Sequence, residues 1–171
     1  MKHLKKLISF AVILTAFSAV TFAQPGAFAT ATATATIVAP IAITKTVDMN
    51  FGNVAVGITA GTVVLTPAGA RSATGGVTLP ATVGTVSAAA FNVTGTTGYT
   101  YTIAITGSPL TVTSGVNTMT VTAFTNSPTS PATLAAGNNA LTVGATLNVG
   151  AIQAAGTYVS GTPFTVTVNY N

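Results

Sequence analysis

From Thr30 to the C-terminus, β-branched and small residues alternate with a period of two, and this alternation constrains the fold more than any other feature. Successive side chains of a strand point to opposite faces, whereas an amphipathic helix repeats about every 3.6 residues. Thr and Val lose little freedom in an extended backbone and pack well on a pleated surface. The pattern therefore predicts an all-β fold.

Short alternating runs, separated by turn residues, mark the candidate strands. These are Thr30 to Thr44, Val47 to Val54, Thr62 to Thr66, Gly76 to Leu79, Ala89 to Thr94, Tyr99 to Thr106, Leu110 to Thr113, Val116 to Thr125, Ala140 to Val149 and Phe164 to Tyr170. Turns that tolerate positive φ are predicted at Gly75-Gly76, Ser114-Gly115, Gly137-Asn138 and Ser160-Gly161. Many short strands at regular spacing favour a two-layer β-sandwich.

Aromatic and β-branched residues at alternate positions predict which sides of three strands face the core. The predicted core residues are Tyr99, Tyr101, Ile103 and Ile105 on the first strand, Val116, Met119 and Val121 on the second, and Phe164, Val166, Val168 and Tyr170 on the third.

The first residues have the layout of a secretory signal peptide. Basic residues precede an apolar run from Leu7 to Val20, which is followed by small residues. The run is shorter than the roughly 18 residues that a transmembrane helix needs, so no transmembrane helix is predicted. We predict a signal peptide over residues 1–23 with cleavage after Ala23, and Ala29 as the alternative site. The protein is then secreted and lies outside the cell or on its surface after passage through the periplasm.

Cleavage after Ala23 would leave Lys45, Asp48 and Arg71 as the charged side chains of the chain. Nucleic-acid binding needs a clustered basic surface, so no nucleic-acid partner is expected. Low net charge favours association between copies because little repulsion separates them. The chain has no cysteine, so its stability depends on hydrogen bonding and packing without disulfides.

The same composition argues against an enzyme. After cleavage no His, Glu or Cys remains, so there is no pair of titratable groups for acid–base catalysis and no set of metal ligands. A serine activated by Lys45 is the one catalytic arrangement left open, against the simpler interpretation of Lys45 as a solvated strand residue. We therefore expect no catalytic residue, no metal and no cofactor.

Three stretches resemble the DUF4402 family of secreted β proteins: Ala29 to Val54, Phe91 to Gly107 and Gly156 to Asn171. That family is itself similar to spore coat protein U-like proteins and to archaic chaperone-usher pilus subunits. The resemblance implies an incomplete immunoglobulin-like sandwich in which Asn50-Phe51-Gly52 and a closing strand, Phe164 to Tyr170, match the pilus subunits. It also implies a periplasmic chaperone and an outer-membrane assembly platform as candidate partners. The chain departs from those subunits because it lacks their paired cysteines.

The domain boundaries follow from the same residues. Residues 24–40 are predicted to be an N-terminal extension and residues 41–171 an immunoglobulin-like two-layer β-sandwich. Thr30 to Val38 alternates without a turn residue, and Pro40 follows it. Ala31, Ala33, Ala35 and Ile37 share one face of this candidate donor strand. Two arrangements stay open: donation to the sheet of another subunit, or pairing at an edge of the chain's own domain.

Two functions are compatible with these features. The first is a structural subunit of a surface fibre or pilus-like assembly that polymerises with other copies or related subunits by donor-strand β-augmentation. The alternative is a stand-alone surface binding or adhesion module that presents rows of threonine hydroxyls to carbohydrate. Ice is a less favoured ligand because the chain has no repeat of fixed length.

Overall fold

The computed structural model describes residues 26–171, and these residues form an all-β structure. The predicted signal peptide and the Ala23 cleavage site lie outside them. No helix among the described residues is long and apolar enough to cross a membrane. The strands are β1 (Ala42–Val47), β2 (Asn50–Phe51), β3 (Ala55–Leu65), β4 (Arg71–Thr78), β5 (Val86–Ser87), β6 (Ala89–Thr94), β7 (Thr100–Thr106), β8 (Leu110–Ser114), β9 (Asn117–Ser127), β10 (Ala132–Thr133), β11 (Asn138–Val149), β12 (Val159–Ser160) and β13 (Thr165–Tyr170).

The longest strand, β11, organises the large antiparallel sheet. Asn138–Val143 of β11 pairs with β6, and Ala145–Val149 pairs with β3. β9 pairs along β11 from Thr142 to Asn148. β1 extends this sheet beyond β6, β4 extends it beyond β3, and β8 and β12 extend it beyond β9.

Two smaller sheets complete the fold. β7 lies between β10 and β13, and β2 pairs with β5. The β10-β7-β13 sheet packs its buried Tyr101 and Val168 against Val93 and Leu141 of the large sheet. A second buried cluster lies along β3, β8, β9 and β11. The predicted β-sandwich is therefore confirmed. The first cluster lies between the two sheets, whereas the second lies on the large sheet, with Phe51 and Phe164 packed against it.

The first predicted strand begins later than the sequence suggests. The chain has no strand in residues 26–41, and β1 begins at Ala42. Pro40 lacks a backbone N–H and cannot donate to a sheet ladder, so it separates the alternating segment from β1. The sandwich lies within the unit Ile37–Asn171, and residues 26–36 belong to a separate unit. The predicted strand Thr30 to Thr44 is thus wrong for the single chain up to Ile41, and its last residues, from Ala42, belong to β1.

The predicted core needs two corrections. Tyr101, Val121 and Val168 are buried as expected. Val116 is 95% exposed because it follows Gly115, whose φ of +59° turns the chain between β8 and β9. Tyr99 is 42% exposed because it precedes β7 and lies outside the paired strand.

One turn prediction and one strand prediction also differ from the structure. Gly75-Gly76 lies inside β4 instead of forming a turn, because Gly75 pairs with Gly61 beside a break in register. An added Cβ on either Gly61 or Gly76 would collide with the facing backbone, so glycine permits this close approach. The predicted strand Val47 to Val54 is reduced to the two residues of β2.

Candidate functional site

An open groove of about 1060 Å³ with an apolar floor lies in the described domain. Its volume slightly exceeds the roughly 300–1,000 Å³ typical of small-ligand sites. The floor consists of core-facing side chains from three strands of the large sheet. These are Leu110 and Val112 of β8, Val121 of β9, and Leu147 and Val149 of β11. The groove is therefore an opening onto the hydrophobic core.

The first wall of the groove is the segment from Asp48 to Val56, which contains β2. Gly52 turns this segment with a φ of +67°, and its N–H donates to Asn50 Oδ1 at 2.8 Å. A Cβ at Gly52 would collide with the carbonyl oxygen of Val83. Asn53 N–H donates to that same carbonyl oxygen at 2.8 Å. Only glycine therefore fits the turn that shapes this wall.

Arg71 ties the first wall to the large sheet. Its Nη1 donates to the carbonyl oxygen of Phe51 and, at 3.0 Å, to that of Asn53. Arg71 itself is the first residue of β4 and pairs with Leu65 of β3. One guanidinium nitrogen thus connects the backbone on both sides of Gly52 to a strand outside the wall.

The second wall is the segment from Gln153 to Phe164. Gln153 Nε2 donates to Tyr158 Oη at 2.8 Å and to the carbonyl oxygen of Thr118 at 3.2 Å. Tyr158 Oη donates to the carbonyl oxygen of Ala154 at 2.7 Å. The Phe164 ring packs against Phe124 with ring centroids 4.8 Å apart. Both walls are therefore held by specific contacts.

Two sheet edges lie beside the groove. Among the described residues, β1 pairs only with β6 and β13 pairs only with β7, so each strand has one unpaired side. The two strands approach each other where Tyr170 Oη donates to the carbonyl oxygen of Ala39 at 3.0 Å. At their other ends, Asp48 follows β1 and Phe164 precedes β13, and both residues line the groove. Unpaired backbone edges and the apolar opening are thus adjacent.

The predicted donor face lies in the segment that precedes β1. Ala31, Ala33 and Ala35 are exposed, and the side chain of Ile37 is 97% exposed. None of the four belongs to a strand of the chain. Their role as a donated face stays a prediction.

The segment ends at a fixed point. Ala39 N–H donates to Thr96 Oγ1 at 3.0 Å, and the Ala39 carbonyl accepts from Tyr170. Thr96 N–H also donates to Tyr170 Oη at 2.7 Å. The chain is therefore attached to the domain at Ala39.

The outer face of the large sheet carries a continuous row of neutral polar residues. Register places Thr74 opposite Thr62, Thr62 opposite Asn148, Asn148 opposite Thr120, and Thr120 opposite Thr111. Thr62 and Thr74 share a hydrogen bond of 2.7 Å between their hydroxyls. Asn148 Nδ2 donates to Thr122 Oγ1 at 2.9 Å. We call these five cross-strand residues, on β4, β3, β11, β9 and β8, the hydroxyl row.

Charged and titratable groups are sparse in this domain. Lys45 Nζ lies 2.6 Å from Asp48 Oδ1, and both side chains are exposed. Among residues 26–171, no three His, Cys, Asp or Glu side chains come together as a metal site requires. Burial raises the pKa of the Tyr101 hydroxyl above its usual 10.0, and the nearby Asn139 side chain opposes this in part. No described group lies in hydrogen-bonding geometry with that hydroxyl.

The family resemblance singled out Asn50-Phe51-Gly52, but the sequence analysis missed the role of Arg71 and the groove. Arg71 stands eighteen residues or more from the carbonyls it binds. No local pattern links residues at that separation, so only the folded chain brings them together.

The fold and the groove define a class: a disulfide-free antiparallel β-sandwich whose core opens to the surface beside two unpaired strands. The chain belongs to the DUF4402 family, described as a domain of unknown function, whose profile matches residues 41–170. A search of curated proteins and a search of solved structures each returned no match. The matched region runs from the residue before β1 to the last residue of β13, so it covers the sandwich and leaves the extension outside.

Proposed function

We propose that this protein is a non-catalytic structural subunit of a secreted surface fibre or pilus-like assembly. In this assembly, the N-terminal extension of one copy adds as a strand to the sandwich of another. One observation carries the proposal: the chain has an exposed, alternating extension outside any strand and a sandwich with an open apolar groove beside unpaired strands. Each copy thus offers a strand without a sheet and a sheet edge without a strand.

The energetics of such an addition are divided between backbone and side chains. Each backbone hydrogen bond to an unpaired edge contributes roughly 0.5–1.5 kcal/mol, and an extended strand forms several. Ala31, Ala33 and Ala35 have small side chains. Burial of each would contribute only about 0.8 kcal/mol to the free energy of association. Ile37 is the largest side chain on that face, and its full burial contributes about 1.5–3 kcal/mol. Backbone pairing with Ile37 as the main apolar contact is the expected mode.

Deletion of Thr30 to Val38 tests the proposal. Material sheared from the cell surface is separated in detergent without heating and again after boiling, because strand-donated polymers dissociate slowly. The full chain should give a ladder that collapses to one band on boiling, and the deletion variant should give only the monomer. A ladder from the deletion variant equal to that of the full chain would rule the proposal out.

The hydroxyl row supports a second candidate function, binding of a neutral polysaccharide at the surface. Threonine hydroxyls both donate and accept hydrogen bonds, and the row contains no charged residue. Adjacent strands lie about 4.8 Å apart, so the five positions offer polar groups along roughly 19 Å. T62V and T120V keep the side-chain shape and remove a hydroxyl. Loss of retardation in affinity electrophoresis through neutral polysaccharides would support this function, and no retardation of the full chain would exclude it.

A further inference from the structure

Among the described residues, Arg71 forms no ion pair with a carboxylate. Asp48 is the single acidic residue of the chain, and it lies 2.6 Å from Lys45. Arg71 is also partly buried, where an unpaired cation is costly unless backbone groups solvate it. Its partners are the carbonyl oxygens of Phe51 and Asn53. The backbone carbonyls of the first wall therefore take the place of a carboxylate as the partners of this cation.

The geometry of the contact suits arginine. A guanidinium is planar and has donors in fixed directions, so one nitrogen can bind two oxygens with little loss of side-chain freedom. The two carbonyls flank Gly52, which has the strained φ of this turn. Arg71 therefore fixes the turn from both sides.

The remaining contacts of the wall do not depend on Arg71. Asn53 binds the carbonyl oxygens of Val83 and Thr82, and Ser87 Oγ donates to the carbonyl oxygen of Asp48 at 2.7 Å. β2 also pairs with β5. These contacts connect the wall to the segment from Thr82 to Ser87, whereas Arg71 connects it to β4 and β3. The wall also continues directly into β3, whose Ala55 and Val56 pair with β4. Loss of Arg71 therefore leaves the ends of the wall joined to the large sheet and removes the side-chain contact that holds the turn at Gly52.

We propose that Arg71 is the positioning residue of the groove. It holds the Gly52 turn of the first wall, through Phe51 and Asn53, in the position in which the groove accepts the extension of a second copy. The inference rests on the proposed function, because it assigns a role in that same site. Arg71 acts on the acceptor side only, since the extension that a copy donates lies in a different part of its chain.

The test uses full-length R71M, which keeps most of the side-chain length and removes every donor. R71M should be secreted, unfold cooperatively and show at least about tenfold less material above the dimer than the wild type, as expected for loss of charge-assisted hydrogen bonds. R71K should restore part of the ladder, because an ammonium group can reach a carbonyl but lacks the planar fork. S72A changes the exposed neighbour of Arg71 on β4 and should give the wild-type ladder.

A mixing experiment separates positioning from folding. R71M keeps its donor extension, and the variant that lacks Thr30 to Val38 keeps its acceptor groove. Neither should form a ladder alone, and an equimolar mixture should give a heat-sensitive heterodimer and nothing longer. A wild-type ladder from R71M, or no heterodimer in the mixture, overturns the role of Arg71. Absence of any ladder from the wild type overturns the proposed function itself.

Discussion

At the residue scale, two polar side chains of this domain are wholly or partly buried: Tyr101 and Arg71. Arg71 satisfies two carbonyls of the groove wall. Tyr101 is fully buried, and its hydroxyl has no partner in hydrogen-bonding geometry among the described residues. A buried hydroxyl without a partner costs free energy of folding, so the ring, and not the hydroxyl, is what Tyr101 contributes to the core.

We expect Y101F to unfold with a free energy equal to the wild type or higher by roughly 1 kcal/mol at neutral pH, because it removes an unsatisfied group. The pKa of Tyr101 is raised in the folded state, so the folded protein keeps the hydroxyl proton at pH values where the unfolded chain has lost it. The stability of the wild type should therefore be unaffected by this group below pH 10 and should fall above it.

Urea titrations at neutral and alkaline pH measure both effects. Y101F should lose less stability than the wild type above pH 10. Y99F, at a ring that is 42% exposed, controls for removal of a tyrosine hydroxyl at the surface. Equal alkaline losses in Y101F and the wild type would contradict the assignment.

Gly52 provides a second test at this scale. G52A should destabilise the domain, because alanine at a φ of +67° is strained and its Cβ collides with the carbonyl of Val83. Gly69 has a φ of +83° with no atom within 4 Å of an added Cβ, so G69A isolates the cost of strain alone. We expect G52A to lose roughly 1–3 kcal/mol more than G69A in thermal or urea unfolding. Equal losses in the two variants would mean that Val83 does not constrain the turn.

At the scale of the element, the extension and the strands around the groove show where the sequence was sufficient. The β8–β9 hairpin follows from Ser114-Gly115, since the signal is local. The extension has the same alternation as a paired strand. Alternation indicates that the two faces of a segment have different polarity, but it does not indicate whether a second strand is present to pair with it. Gly75-Gly76 was misread for a related reason, because glycine serves both turns and close backbone approach.

The two faces of the extension give a matched pair of variants. Ala33 lies on the predicted donor face and Thr34 on the opposite face, and both are exposed in the chain. A33D should abolish the heat-sensitive ladder, since donation would bury a carboxylate, whereas T34D should keep it. A reduction of roughly hundredfold or more in polymer is expected for A33D. The same ladder from both variants would show that the faces are equivalent and would contradict donation in this register.

At the scale of the whole molecule, the arrangement of charge sets how the protein responds to its solvent. The described domain has one exposed ion pair and one cation bound by carbonyls. The sequence predicted the two-layer β-sandwich and part of the core, including Tyr101 and Val168. It could not predict the groove, which depends on how Asp48–Val56 and Gln153–Phe164 lie across the floor, and that placement is set by distant contacts such as Arg71 with Phe51.

We expect assembly to be nearly independent of ionic strength. Few charges are present to be screened, and backbone pairing and apolar burial do not weaken with sodium chloride. Ladder length at low salt and at about 1 M sodium chloride should agree, whereas sodium sulfate should lengthen the ladder by favouring apolar burial. A steep loss of polymer with sodium chloride would point to electrostatic association and against strand addition.

The attachment at Ala39 has a mechanical meaning for any fibre built from these copies. Tension arriving along the extension enters the domain where Ala39 is held by Thr96 and Tyr170. Thr96 follows β6, and Tyr170 is the last residue of β13, so the two holding residues belong to opposite layers. In such a fibre these two hydrogen bonds would pass the pull to both layers before it reaches β1.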